Sequence, residues 1–230
     1  MPLIKTKRLT VIGGAFGSGK TEFAIAYARN LVAEGVQPVG LIDLDIVNPY
    51  FRSRDVAKEL AELGLEVIST APGLEYADLP ALSPQIYGLL QDKRVTTVFD
   101  VGGDPVGARA LGRFHPYFSQ EDYDFWVVVN PYRPDTRDAA EAERLIAGLE
   151  SASRLRATGL IGNINLGRET TLAIWRNGLP LIEELAERRA LPVRYQMVEE
   201  GFLAANREAL AAHPVFPVRL RMLPPWLREE

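Results

Sequence analysis

The chain has 230 residues, of which 47% are hydrophobic and 24% are charged, so it can form an ordinary globular core and is not a disordered protein. Its net charge of -4 provides no basic surplus, which argues against nucleic acid as a main partner. The absence of cysteine excludes disulfides, thiolate metal sites and cysteine nucleophiles.

Strand-length apolar runs alternate along the chain with helix-length amphipathic segments. Strands are predicted at residues 9–13, 39–44, 65–69, 95–101, 125–130, 158–163 and 192–197. Helices are predicted at residues 20–34, 56–63, 136–149 and 170–189, and residues 86–90 begin or belong to another helix. The segment 170–189 is one helix or two, because Gly178 and Pro180 fall inside it. This alternation predicts an α/β fold in three layers, with a mainly parallel sheet between helices.

The whole chain, residues 1–230, is expected to form one domain. Residues 70–84 contain three prolines and predict a surface loop. The segment from His213 onward contains four prolines and predicts an irregular tail, so residues 192–197 are the last strand expected. No apolar run approaches the roughly 20 residues that span a bilayer, and the first residues lack the apolar core of a signal peptide. A cytoplasmic location without a membrane span is therefore expected.

A glycine-rich segment lies between the first predicted strand and the first predicted helix. It has the pattern Gly-x-x-x-x-Gly-Lys-Thr, in which backbone N–H groups surround phosphates and a helix N-terminus adds partial positive charge. Its lysine can reach the β- and γ-phosphates, and its threonine hydroxyl can bind Mg²⁺. The residues predicted to bind a nucleoside triphosphate are Gly14, Ala15, Phe16, Gly17, Ser18, Gly19, Lys20 and Thr21.

Two predicted strands end in acidic residues. Asp43 and Asp45 lie at the end of the second strand, and Asp100 lies near the end of the fourth. Phosphoryl chemistry needs carboxylates at the ends of neighbouring strands, to hold the metal and to orient an attacking water. The two glycines that follow the fourth strand predict a switch segment, residues 102–114, that orders on triphosphate and relaxes on diphosphate.

With these motifs the chain resembles the MinD/ParA class of P-loop ATPases, the SIMIBI group that includes CobQ/CobB-type proteins. In particular it is similar to bacterial ATP-binding proteins of poorly defined role. The resemblance spans nearly the whole chain, through Gly-Ser-Gly-Lys-Thr, Ile-Asp-Leu-Asp-Ile at 42–46 and Asp-Val-Gly-Gly at 100–103. It implies a P-loop NTPase fold that uses ATP and Mg²⁺.

The resemblance also implies roles for individual residues. Lys20 and Thr21 would contact phosphate and magnesium, Asp45 would orient the hydrolytic water, and Asp43 would lie near the metal. Asp100 would be a carboxylate behind the metal. Gly103 would contact the γ-phosphate, and Asn163 would contact adenine. For Asn163 and Asn165, turn chemistry before Gly167 is the alternative.

The sequence departs from this family inside the phosphate loop. Family members usually carry a second lysine there, which reaches across a nucleotide-sandwich dimer, whereas this chain has Ala15. A nucleotide-dependent homodimer would then need another cation, and Arg52 or Arg54 could supply one. Surface salt bridges are the alternative for both arginines. Residues 130–134 either line the nucleotide or partner face or form a structural strand-to-helix turn.

The sequence also bears on which nucleobase is bound and which reaction is catalysed. No Asn-Lys-x-Asp or Thr-Lys-x-Asp motif occurs, so the usual carboxylate contact to guanine is missing and ATP is favoured over GTP. The sequence favours a slow ATPase that acts as a nucleotide-dependent switch on an unidentified protein partner. The alternatives are a metabolic ligase or kinase that phosphorylates a small acceptor, and a GTPase.

Overall fold

The computed structural model describes residues 7–44, 57–68, 83–103 and 105–221 of the chain. Its strands are β1 (Leu9–Gly14), β2 (Val39–Leu44), β3 (Leu65–Ile68), β4 (Thr96–Val101), β5 (Tyr123–Val129), β6 (Gly159–Gly162), β7 (Val193–Glu199) and β8 (Val215–Val218). They form one parallel sheet in the order β3-β2-β4-β1-β5-β6-β7-β8. All six residues of β1 are buried, because neighbouring strands flank it and helices cover both of its faces.

Helices connect the strands. They are α1 (Lys20–Ala33), α2 (Ala57–Glu62), α3 (Gln85–Gln91), α4 (Pro105–Gly112), α5 (His115–Phe118), α6 (Ala139–Ser153), α7 (Leu172–Arg189), α8 (Glu200–Ala205) and α9 (Arg207–Leu210). The Asp138 side chain caps α6 by accepting from the Glu141 N–H at 2.7 Å, and Thr171 caps α7 in the same way. Across the described ranges, no helix combines the length and the apolar character that crossing a bilayer requires.

The two faces of the sheet carry separate hydrophobic clusters. On one face α1 packs its aromatic side chains into the sheet, where the Tyr27 ring lies 5.1 Å from the Trp126 ring and 5.9 Å from the Phe23 ring. On the other face the buried side chains of α3 to α7, such as Ile146 and Ile182, form the larger cluster. The three-layer α/β fold expected from the sequence is therefore confirmed.

The sequence prediction was wrong about the segment that begins at His213. The predicted irregular tail instead contributes β8, which pairs in parallel with β7. Phe216 is buried and its ring lies 5.0 Å from the Phe23 ring, so the strand helps to close the α1 face of the core. Pro217 is tolerated because β8 is the last strand of the described sheet, where one side of the backbone needs no ladder partner.

The segment predicted as one helix or two is a single helix, α7. Gly178 does not break the helix. A Cβ at this position would lie 2.6 Å from Ile164 Cγ2, so the glycine allows α7 to pack closely against the chain that follows β6. Pro180 is exposed, and its ring projects away from the core. Short helices that the sequence pattern did not predict are α4, α5, α8 and α9.

Candidate nucleotide-binding site

A tight loop joins β1 to α1 at the carboxyl end of the central strand. Gly17 has a φ of 70° and Gly19 a φ of 94°, values that residues with a side chain rarely adopt. The Ser18 N–H donates to the Ala15 carbonyl oxygen at 3.1 Å and closes the turn. The predicted glycine-rich segment therefore folds into a compact loop of the kind whose N–H groups can surround a phosphate.

Lys20 and Thr21 lie in the first turn of α1. Their exposed fractions are 3% and 6%, so both side chains are held inside the site rather than in solvent. The N-terminus of α1 adds partial positive charge at the same place. Because burial weakens the screening of charge by water, an ammonium in this position attracts a phosphate more strongly than a surface lysine does.

Two side chains from other parts of the sheet hold the loop in place. The Asn163 amide, just after β6, donates to the Ser18 carbonyl oxygen at 2.7 Å. The Arg133 guanidinium, after β5, donates through Nε to the Gly17 carbonyl oxygen at 2.9 Å. A Cβ on Gly19 would overlap the Asn163 amide, so this contact also requires glycine there. The loop is therefore fixed by tertiary contacts as well as by its own glycines.

The acidic residues of β2 and β4 lie side by side. Asp43 and Asp100 are register partners on neighbouring parallel strands and are 3% and 0% exposed. Leu41 and Val98, two residues earlier on the same strands, belong to the cluster that contains α1. Because side chains alternate along a strand, both carboxylates are on the α1 face of the sheet, on strands about 4.8 Å apart.

The residues that the sequence assigns to metal are Thr21, Asp43 and Asp100. Mg²⁺ at nucleotide sites is held by one or two protein oxygens together with substrate phosphates, so a hydroxyl and two carboxylates on one face of the sheet fit this ion. The described residues contain no group of three or more His, Asp or Glu side chains that could hold a metal ion.

The segment after β4 lies directly against the loop. A Cβ on Gly103 would lie 2.7 Å from both the Gly14 carbonyl oxygen and the Phe16 nitrogen, and these are backbone atoms that cannot move aside cheaply. Only glycine lets the two segments approach this closely. A movement of the phosphate loop would therefore displace the segment that leads into α4.

A cavity of about 270 Å³ lies at the carboxyl ends of β6 and β7. Trp175, Met197 and Phe202 provide apolar walls. Met197 Cε lies 3.6 Å from the position that a Cβ on Gly19 would occupy, so the cavity is adjacent to the phosphate loop. An apolar cavity of this size beside a phosphate loop suits a flat nucleobase.

One carboxylate lies at the wall of this cavity. Glu199, the last residue of β7, accepts from the Gly201 N–H at 2.8 Å and from the Phe202 N–H at 2.7 Å. Both carboxylate oxygens thus cap α8, and each retains a lone pair for a second donor. The cavity therefore presents one strong hydrogen-bond acceptor to whatever occupies it.

The two asparagines after β6 have different surroundings. The Asn165 side-chain oxygen accepts from the Gly167 N–H at 2.5 Å and from the Thr170 hydroxyl at 3.1 Å, which is the turn chemistry that was the alternative for this residue. Asn163 contacts the phosphate loop instead. The predicted contact between Asn163 and adenine stays a prediction.

Several sequence assignments fall outside the described residues: Asp45, Arg52 and Arg54. Within the described residues, Ala15 is buried, whereas Phe16 is 61% exposed at the tip of the loop. Ala15 is therefore shielded from solvent, and the residue beside it presents an apolar ring to solvent.

The sequence predicted the segment that contains Arg133 but not its contact with the phosphate loop, and it did not predict a role for Glu199. Residues 130–134 were assigned either to the nucleotide or partner face or to a structural turn, and the structure shows a turn with one contact to the phosphate loop. The Tyr132 N–H donates to Asn130 Oδ1 at 3.0 Å within the turn, while Arg133 reaches the phosphate loop. Glu199 was not singled out, because a glutamate before a short helix carries no sequence signal beyond that of a cap.

Replacing Arg133 with alanine is expected to lower the affinity for MgATP about fivefold, or roughly 1 kcal/mol, because one hydrogen bond that holds the loop is lost. Isothermal titration of the variant and the wild type measures the change. The control is Arg137→Ala, which removes an exposed guanidinium paired with Glu141 and should leave the affinity unchanged. Equal affinities for the Arg133 variant and the wild type would contradict a role in holding the loop.

No protein-family model matches the chain, and no curated protein matches its sequence. Solved structures resemble its fold. Signal recognition particle 54 kDa protein from Aeropyrum pernix K1, in complex with GDP, is 17% identical with a TM-score of 0.53, over 84% of this chain and 42% of that one. Chloroplast FtsY from Physcomitrella patens is 16% identical with a TM-score of 0.54, over 84% of this chain and 59% of that one.

FtsY from Mycoplasma mycoides is 11% identical with a TM-score of 0.51, over 83% of this chain and 60% of that one. The chain has a P-loop NTPase fold. At these identities the likeness extends to the fold alone, and the chain spans between two fifths and three fifths of the length of these proteins.

Proposed function

We propose that the chain binds ATP with Mg²⁺, hydrolyses it slowly and acts as a nucleotide-dependent switch. The observation that supports this function best is the meeting of three features at one end of the sheet. These are the glycine loop with Lys20 in its first helical turn, the buried pair Asp43 and Asp100, and the segment at Gly103 that lies against the loop.

Each group has a separate task in this proposal. Lys20 neutralises the β- and γ-phosphates, and the Thr21 hydroxyl binds Mg²⁺. Asp43 would lie near the metal, and Asp100 would lie behind it, where its carboxylate orients the groups that hold the ion. Orientation of the attacking water is assigned to Asp45, which lies outside the described residues and is supported by the family resemblance only.

The proposed switch is residues 102–114. Gly103 would donate its N–H to the γ-phosphate, and loss of that phosphate on hydrolysis would release the segment leading into α4. A second copy of the chain or an unidentified protein would respond to this change. A nucleotide-dependent homodimer is the form that the family resemblance favours.

GTP is the second candidate substrate, and Glu199 is the observation that favours it. A carboxylate in the proposed base cavity can accept from the N1–H and N2–H groups of guanine, whereas adenine offers only its N6 amino group. The missing Asn-Lys-x-Asp motif favours ATP. Competition between ATP and GTP decides between them, and a preference for GTP above about tenfold, roughly 1.4 kcal/mol, would overturn the choice of ATP.

Replacing Asp100 with asparagine is expected to lower the Mg²⁺-dependent hydrolysis of ATP about 100-fold, because the carboxylate that orders the metal shell is lost. Phosphate release measures hydrolysis, and titration with ATP in the presence of EDTA shows that the metal-free site survives. Asp92→Asn, at a surface aspartate paired with Arg94, is the control and should hydrolyse ATP at the wild-type rate.

Two results would contradict the proposed function. If the Asp100→Asn variant hydrolysed ATP at the wild-type rate, Asp100 would have no role in hydrolysis. Turnover that occurs only after a small acceptor is added, with a phosphorylated product, would make the chain a kinase or ligase.

A further inference from the structure

A second cleft lies along α1. It has a volume of about 310 Å³ and runs between α1 and the chain at and after β8. We call it the α1–β8 cleft. The cleft extends from Glu22 to Arg29, which lies nine residues after Lys20 along α1, a separation of about 13.5 Å at 1.5 Å per residue. A ligand held at Arg29 would therefore not occupy the proposed phosphate site.

Three arginines line the α1–β8 cleft: Arg29, Arg219 and Arg221. The Arg221 guanidinium pairs with Glu59, and the Arg221 N–H donates to Glu22 Oε1 at 2.6 Å. Among the described residues, Arg29 and Arg219 form no ion pair with a carboxylate. Two carboxylates, Glu22 and Glu200, also line the cleft. Within the ranges that the structure describes, Arg29 and Arg219 therefore lie in the cleft near carboxylates without a direct ion pair to one of them.

The Arg29 guanidinium lies among other charged side chains in the cleft. Burial lowers the pKa of the Arg29 guanidinium, and the charges of Arg221 and Arg219 lower it further. Glu59 and Glu200 raise it, but they do not reverse the direction. Arginine keeps its proton in proteins, so the lowered pKa means that the charged group is desolvated and repelled where it lies. An anion in the cleft would offset the repulsion between Arg29, Arg219 and Arg221.

We propose that the α1–β8 cleft binds a small ligand through a doubly charged oxyanion group, recognised by Arg29 and Arg219. Planar guanidinium groups bind the paired oxygens of phosphate and carboxylate in a bidentate manner, and two of them match an anion with several oxygens. A phosphate monoester and a dicarboxylate both carry this chemistry. The volume suits a small molecule.

The experiment uses the full chain with Lys20→Ala, so that phosphate cannot bind at the phosphate loop. Inorganic phosphate and succinate are titrated separately by calorimetry. Saturable binding with one site per chain is expected for at least one of them, and Arg29→Gln with Arg219→Gln should weaken it at least tenfold, roughly 1.4 kcal/mol. The control is Arg144→Gln with Arg207→Gln, which removes the same charge from exposed positions outside the cleft and should bind like the parent.

The outcome with each probe identifies the ligand class. Binding of phosphate alone supports a phosphorylated ligand, and binding of succinate alone supports a dicarboxylate. Arg29→Lys with Arg219→Lys keeps the charge and the stems but loses the bidentate geometry, so intermediate affinity is expected. The site is refuted if neither probe binds saturably, or if the glutamine variant, shown to be folded by circular dichroism, binds as tightly as the control. Neither result depends on whether the chain hydrolyses ATP.

Discussion

Replacing Lys20 with alanine is expected to lower the affinity for MgATP about 100-fold, roughly 2.7 kcal/mol. The ammonium is buried in the first turn of α1 and is proposed to contact two phosphates, and hydrogen bonds to charged groups contribute about 1.5–3 kcal/mol each. Isothermal titration with MgATP measures the change. A loss of this size would make Lys20 the largest single contributor to nucleotide affinity among the variants considered.

Two controls separate binding from folding. Lys93→Ala removes a lysine that is half exposed and paired with Glu121, so its affinity for MgATP should match the wild type. Lys20→Met keeps the unbranched stem without the charge, and it should lose affinity like the alanine variant while filling the buried space. If both Lys20 variants bound MgATP as tightly as the Lys93 variant, the proposed nucleotide site would be refuted.

Replacing Gly103 with alanine is expected to lower the affinity for MgATP at least tenfold, roughly 1.4 kcal/mol. The new Cβ would lie 2.7 Å from the Gly14 carbonyl oxygen and from the Phe16 nitrogen, closer than such atoms approach in folded proteins. Because both are backbone atoms of the phosphate loop, the loop or the segment after β4 must move. Either movement disturbs the proposed phosphate site.

The matched control for this variant is Gly148→Ala in α6. No atom lies within 4 Å of a Cβ built at Gly148, and the position is exposed and helical. Alanine there should leave the affinity for MgATP unchanged and raise the free energy of unfolding by about 0.5–1 kcal/mol, since glycine is a poor helix former. Thermal unfolding of both variants shows whether Gly103→Ala acts on the site alone. Wild-type affinity in a folded Gly103 variant would contradict the close contact.

A mainly parallel sheet and the position of the phosphate loop could be predicted from the residues of the chain. Both signals are local: continuous apolar runs such as β5 are buried on both faces, and the glycines of the loop need backbone angles that few residues adopt. Asp43 and Asp100 could be assigned to one site in advance, because the carboxyl ends of parallel strands meet at one end of the sheet. Their side-by-side register confirms that they are neighbours.

Contacts between segments that are distant in the chain could not be predicted from the sequence and are seen in the folded molecule. Arg133 reaches the loop from a position 116 residues further along, and Asn163 does so from 145 residues away. No periodicity or spacing encodes such pairs, because the order of strands in the sheet determines which segments lie together. The prediction also failed for β8, because the prolines in this segment indicate irregular chain. The strand forms there because it is the last strand of the described sheet and buries Phe216 against α1.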